Sequence, residues 1–150
     1  MAIQRATLGH VVLNVRDVRK SERFYREILG MALSGRNANT KISFLSFGRE
    51  HHDVALAELP PGATAARGDF PGLHHFCVYV KTPEEVDDLV PVLEKKGIPI
   101  VSGPEILEVA GNRSVSFLDP DGNRIEVACN THKFERERRR KSKRRKRREK

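Results

Sequence analysis

Cysteine is scarce in this chain: Cys77 and Cys129 are the only two among 150 residues. Two thiols cannot build a disulfide framework, and both fall in strand-like runs, which predicts buried free thiols in a reducing compartment. Long apolar runs are missing too. No segment approaches the roughly 20 apolar residues of a membrane span, and the opening Met1-Ala2-Ile3-Gln4-Arg5 lacks the apolar stretch of a signal peptide. The expectation is a soluble, cytoplasmic protein. Acidic residues are nearly absent from the last twenty positions, where 13 Lys/Arg meet 3 Glu; the rest of the chain holds 15 basic and 17 acidic residues. The net charge of +8 is therefore a property of residues 131–150. That stretch repels itself and has no apolar face, so it is expected to be a disordered basic tail. From Glu135 onward no aromatic residue is interleaved among its charges, and it predicts no specific nucleic-acid partner, only nonspecific attraction to polyanions.

What is present is a repeat. His10-Val11-Val12-Leu13-Asn14-Val15 and His75-Phe76-Cys77-Val78-Tyr79-Val80 read as one strand written twice, and each runs into a helical pattern closed by a glycine, Gly30 or Gly97. In the first unit Asp17 or Ser21 can cap a helix carrying Phe24, Ile28 and Leu29, and strand patterns follow around 41–48 and 52–59. In the second, Thr82-Pro83-Glu84-Glu85 combines a capping box with proline at the first helical position. Its helix runs through Val86, Leu89, Val90 and Leu93, and Pro91 inside it predicts a kink or an unpaired backbone group. Strands near 98–102, 113–118 and 123–129 complete the unit, with Asp119-Pro120-Asp121-Gly122 as a tight turn. The fold class is α+β, two tandem βαβββ modules. Module one covers about 6–60 and module two about 73–130, within one domain over 1–130, and residues 61–72 form a Pro/Gly-rich linker.

Alternate residues on a strand face opposite sides. Val11, Leu13 and Val15 make one face and leave His10 on the other; Phe76, Val78 and Val80 do the same to His75, and Ile125 and Val127 to Glu126. A single strand histidine is ordinarily a satisfied polar residue. Two at equivalent points of two similar units, with a carboxylate on the matching face, point to metal. Two imidazoles and one carboxylate form a facial triad with open positions, although ligand softness does not choose among iron, manganese, nickel and zinc.

The His-led strands, the Asp-Pro-Asp-Gly-Asn-Arg-Ile-Glu ending and the duplicated module resemble the vicinal oxygen chelate superfamily over about residues 6–130. That superfamily includes glyoxalases, extradiol dioxygenases, fosfomycin-modifying enzymes, epimerases and metal-free drug-binding proteins. The resemblance implies curved mixed sheets forming a metal-binding cup, a homodimer, and His10, His75 and Glu126 as ligands. His75 is preferred over His74 because only His75 aligns with His10. The segments Arg49-Glu50-His51-His52-Asp53 and Leu73-His74-His75-Phe76 are similar to extradiol enzymes in particular, and imply His52 as an acid/base group. This suits a neutral imidazole titrating near neutrality.

The implied activity is a metal-dependent, catechol ring-cleaving dioxygenase using Fe(II) or Mn(II), a small vicinal-oxygen substrate and O2. Asn14, His74, Tyr79 and Ser116 are candidate pocket residues. Two departures stand out: Ser116 occupies a position where extradiol enzymes usually have tyrosine, and no histidine occurs in 101–115. The alternatives are a glyoxalase-like lyase or epimerase, with Glu58 as fourth ligand and base around Zn(II) or Ni(II), and a non-catalytic small-molecule binding protein.

Overall fold

A computed structural model describes residues 7–63, 71–107 and 110–148, with side chains as far as residue 140. The chain divides into two compact units, Met1–Pro71 and Gly72–Lys150. The division falls within the 61–72 segment read as a linker, of which 64–70 lie outside the described residues.

In the first unit, β1 (Val11–Val15) leads into α1 (Val18–Leu29), followed by β2 (Ala32–Asn37), β3 (Ile42–Ser46) and β4 (Val54–Glu58). The sheet order is β1-β4-β3-β2, with β1 and β4 parallel and the other pairs antiparallel. Helix α1 begins where Asp17 accepts hydrogen bonds from the Arg19 and Lys20 amides, both at 2.9 Å, satisfying donors that the helix cannot pair internally. It stops at Gly30, whose left-handed φ of 65° suits a residue without Cβ. Ser21, the other cap candidate, lies buried inside the helix. The inward aromatic is Tyr25, with Phe24, Ile28 and Leu29 only half-buried.

Strand β2 was not legible as a strand, and a long-range ion pair ties it to the helix. The guanidinium of Arg36 forks onto buried Glu22 on α1, Nε to Oε2 at 2.9 Å and Nη2 to Oε1 at 2.6 Å. Ser43, the register partner of Arg36 on β3, donates to the same carboxylate at 3.0 Å. These bonds, Arg36 first, hold the Glu22 carboxyl below its ordinary 4.5 against the opposing effect of burial. Because the folded value is depressed, the contribution to stability is complete above pH 4.5 and is lost as pH falls through the lower folded value. Glu22→Gln is expected to cost about 1.5–3 kcal/mol at neutral pH and to flatten the acid limb of a urea-melt series below pH 4.5. An unchanged acid limb would show that Glu22 does not carry this linkage.

The second unit repeats the plan: β5 (Phe76–Tyr79), α2 (Pro83–Lys95), β6 (Ile100–Leu107), β7 (Asn112–Leu118) and β8 (Arg124–Asn130), in the order β5-β8-β7-β6 with β5 and β8 parallel. The capping box forms as read: the Thr82 amide donates to Glu85 Oε2 at 2.8 Å and the Glu85 amide to Thr82 Oγ1 at 3.3 Å. Helix α2 runs on past Pro91, which is exposed. Val86 and Leu93 on α2, with Val115, Phe117, Ile125 and Val127, make a fully or almost fully buried core. In the β7–β8 turn, Asp119 accepts from the Asp121 and Asn123 amides and from Asn123 Nδ2.

Two expectations need correction. Residues 131–148 are helical, α3 (Thr131–Arg148), where a disordered tail was predicted. Arg, Lys and Glu are good helix formers and the stretch contains neither Gly nor Pro. Cys77 is exposed while Cys129 is buried, because Cys77 lies on the β5 face turned away from the apolar Phe76 and Val78. Among the described residues, no helix is long and apolar enough to cross a membrane.

Candidate functional site

In the second unit, His75 stands immediately before β5, and its Nε2 lies 3.1 Å from Oε2 of Glu126 on β8. The parallel register places Cys77 opposite Glu126 on one side, and the antiparallel register places Ser116 opposite it on the other. These side chains therefore share the sheet face opposite Ile125 and Val127. Glu126 is 12% exposed and His75 36%, a carboxylate sunk in the sheet beneath a more open imidazole. His74 places its Nδ1 2.7 Å from Nδ1 of His75. At 3.1 Å His75 Nε2–H can donate to Glu126, with Nδ1 then accepting from His74; in the other tautomer His75 donates from Nδ1 to His74, and the Nε2 lone pair is left for an ion between imidazole and carboxylate. Although the residue as a whole is exposed, desolvation of its thiol against the sheet, and then the Glu126 charge, push Cys77 up to about 12, so it stays protonated beside the carboxylate.

The first unit gathers imidazoles instead. Parallel pairing of β1 with β4, continued by the hydrogen bond from the Val11 amide to the Asp53 carbonyl, aligns the residues that precede the two strands. His10 and His52 consequently touch, with ring centroids 4.4 Å apart. Phe44 flanks His52 at 5.0 Å, and the Nδ1 atoms of His51 and His52 are 2.9 Å apart. Burial, and then the proximity of His10 and His51, lower the pKa of His52, favouring its neutral form. Asn14 lies on the His10 face of β1 and is exposed.

Glu58 is not free to serve as the alternative ligand or base. It pairs in register with buried Val15, placing it on the α1 face rather than the His10 face. There its Oε2 accepts from the Val18 amide at 3.1 Å and its Oε1 from Lys41 Nζ at 2.6 Å; these bonds, Lys41 first, lower its pKa. Glu58→Gln is expected to lower thermal stability slightly and to leave bound metal unchanged, as metal analysis beside a thermal melt would show.

Among the described residues each unit offers its donors in pairs, and neither gathers three. The His75–Glu126 couple fits a metal ion nonetheless. Nitrogen and oxygen ligands each about 2.1 Å from one ion, at right angles, stand about 3 Å apart, close to the separation seen here. Two residues that the sequence did not single out share this face: Cys77, which the i, i+2 spacing from His75 could have flagged, and Asn112, whose Nδ2 donates to the Tyr79 hydroxyl at 3.3 Å. The Asn112 contact spans two strands and left no local signal.

The model of the Glyoxalase/Bleomycin resistance protein/Dioxygenase superfamily matches residues 7–127. The chain belongs to this superfamily. A virulence protein of Salmonella typhimurium, STM3117, is 34% identical over 123 residues, covering 81% of this chain and 82% of its own length. A 2,2',3-trihydroxybiphenyl dioxygenase of Sphingomonas paucimobilis is 33% identical over 97 residues, covering 63% of this chain but 31% of the enzyme, so the chain spans about a third of that relative's length. Among solved structures, an integron cassette protein from the mobile metagenome of the Halifax Harbour sewage outfall superposes with a TM-score of 0.67 at 28% identity, over 82% of this chain and 97% of its own. The superfamily includes metal-dependent dioxygenases and lyases, and the duplicated βαβββ sheet of this chain is its fold.

Proposed function

We propose that this superfamily member is a divalent-metal-dependent oxygenase of the extradiol type, acting on a small substrate with vicinal oxygens. The observation that carries the proposal is the His75–Glu126 couple, with Nε2 and Oε2 at 3.1 Å. Similarity to a 2,2',3-trihydroxybiphenyl dioxygenase supports the oxygenase branch, and the histidine cluster of the first unit, in contrast to the committed Glu58, supports it over the lyase branch.

In this reading His75 and Glu126 hold the ion, and the metal is Fe(II) or Mn(II). When bound, such an ion lowers the pKa of a chelated hydroxyl and assembles diol and O2 in one coordination sphere. The protein's own residues do the rest. With an ion bound, donation from His75 Nδ1 to His74 would leave Nε2 as the ligand atom. His52 has Nδ1 engaged with His51 and its neutral form favoured, the state in which an imidazole can accept a proton and return it. Ser116, in register with Glu126, offers a short hydroxyl where extradiol enzymes carry tyrosine, making room for a bulkier ring substituent. Tyr79 is on the same face of the second sheet as His75 and Glu126 and borders the substrate.

The test is metal quantitation of purified protein followed by turnover of a panel of catechols with and without O2. Stoichiometric iron or manganese with oxygen-dependent ring cleavage is expected. Metal-bound protein that turns over its substrates equally without O2 would defeat the oxygenase reading, and metal-free protein that binds catechols unchanged would reduce the chain to a binding module.

A further inference from the structure

Helix α3 plays no part in the proposed chemistry, yet it carries most of the chain's excess charge. Its root is built into the second unit. The Thr131 amide and hydroxyl both donate to the Gly111 carbonyl, at 3.0 and 2.8 Å, and Asn130 Oδ1 caps the first turn by accepting from the Lys133 amide at 2.8 Å. The His132 ring lies directly over Gly111, where any Cβ would collide with it. Phe134 is half-buried, and from Glu135 to Arg140 every residue is exposed. The basic part of the helix thus continues from an anchored turn.

Residues 136–148 contain 11 Lys/Arg and a single acidic residue, Glu137. At 1.5 Å per residue they extend about 20 Å, a length over which B-form DNA presents about 12 phosphates, at one charge per 1.7 Å of axis. Each residue turns the helix by about 100°, so Arg136, Arg138, Arg139 and Arg140 point to all sides of the axis. A membrane surface can engage one side of such a helix and needs an apolar side to insert, but residues 135–148 contain no apolar residue. A groove with phosphates on both walls engages several sides at once. The major groove of B-DNA, about 12 Å wide, admits an α-helix, whereas that of A-form RNA is too narrow for side chains to read.

We propose that α3 is a sequence-nonspecific binding helix for double-stranded DNA, lying in the major groove with its charges toward the phosphates of both walls. The proposal is independent of the reading of the metal site. It is tested by fluorescence anisotropy of a labelled 20-base-pair duplex titrated with the full chain between 50 and 200 mM salt. Binding in the micromolar range with a log–log salt slope of about −5 or steeper is expected. Arg138→Gln/Arg139→Gln/Arg140→Gln should make the slope shallower by about 3 with helix content unchanged by circular dichroism. Ser142→Pro, which alters no charge but breaks the helix, should weaken binding at least about tenfold. A slope shallower than about −2, indifference to either variant, or tighter binding to duplex RNA or to phosphatidylserine vesicles than to DNA would overturn it.

Discussion

Glu126→Gln is expected to leave purified protein nearly free of divalent ion and to lower kcat/KM toward any catechol substrate by about 10³-fold or more. Replacing a residue that merely supports a ligand typically costs 10–100-fold, and a direct ligand should exceed that. The substitution keeps the side chain's size and one acceptor oxygen while removing the negative charge that faces His75 Nε2 at 3.1 Å. A neutral amide cannot offset a divalent cation in a site where the carboxylate is 12% exposed. The fold should survive, because the backbone pairing of Glu126 with Cys77 and Ser116 does not depend on the side chain. Metal analysis and kinetics on the same preparation, beside a thermal melt, separate the outcomes. Full metal content and full turnover in Glu126→Gln would remove Glu126 from the site, and with it the proposed function. Glu58→Gln supplies the contrast, an acidic residue whose loss should touch stability and leave the metal in place.

The duplicated module was legible because its cue is local and repeated: a histidine, an alternating strand, a capped helix and a glycine, twice over. The first unit's second strand was not. Ala32-Leu33-Ser34-Gly35-Arg36-Asn37 lacks β-branched and aromatic residues, and what ties it in place is the fork of Arg36 onto Glu22, a pairing across 14 residues that no periodicity reveals. The alternative role of Glu58 came from family resemblance, which carries no information on the face this side chain takes. Within the strand, the register opposite Val15 turns Glu58 toward α1. The basic tail was read from charge repulsion and the lack of an apolar face, leaving out the helix-forming tendency of the same arginines, lysines and glutamates and the anchor at Gly111. Charge patterning reports what a segment repels, whereas its backbone state also depends on what its first turn can hold.

His52→Ala should lower turnover by about 10²–10⁴-fold, the range of a positioned general acid–base group, with metal content unchanged. The reasoning rests on division of labour within the first unit. His10 and His52 are in ring contact at 4.4 Å, but only His10 aligns with His75 as the residue that opens a strand. His52 has one ring nitrogen engaged by His51, and in the proposed mechanism the other takes the proton. Truncating it removes a proton acceptor and leaves the His75–Glu126 couple of the second unit untouched. His51→Ala should have a smaller effect, since it frees the His52 ring without removing it. The decisive comparison is metal stoichiometry against kcat for the two variants. Parallel loss of metal and activity in His52→Ala would make that residue a ligand, and undiminished activity on every catechol tested would leave the first unit without a proton-transfer group and the ring-cleaving mechanism without its base.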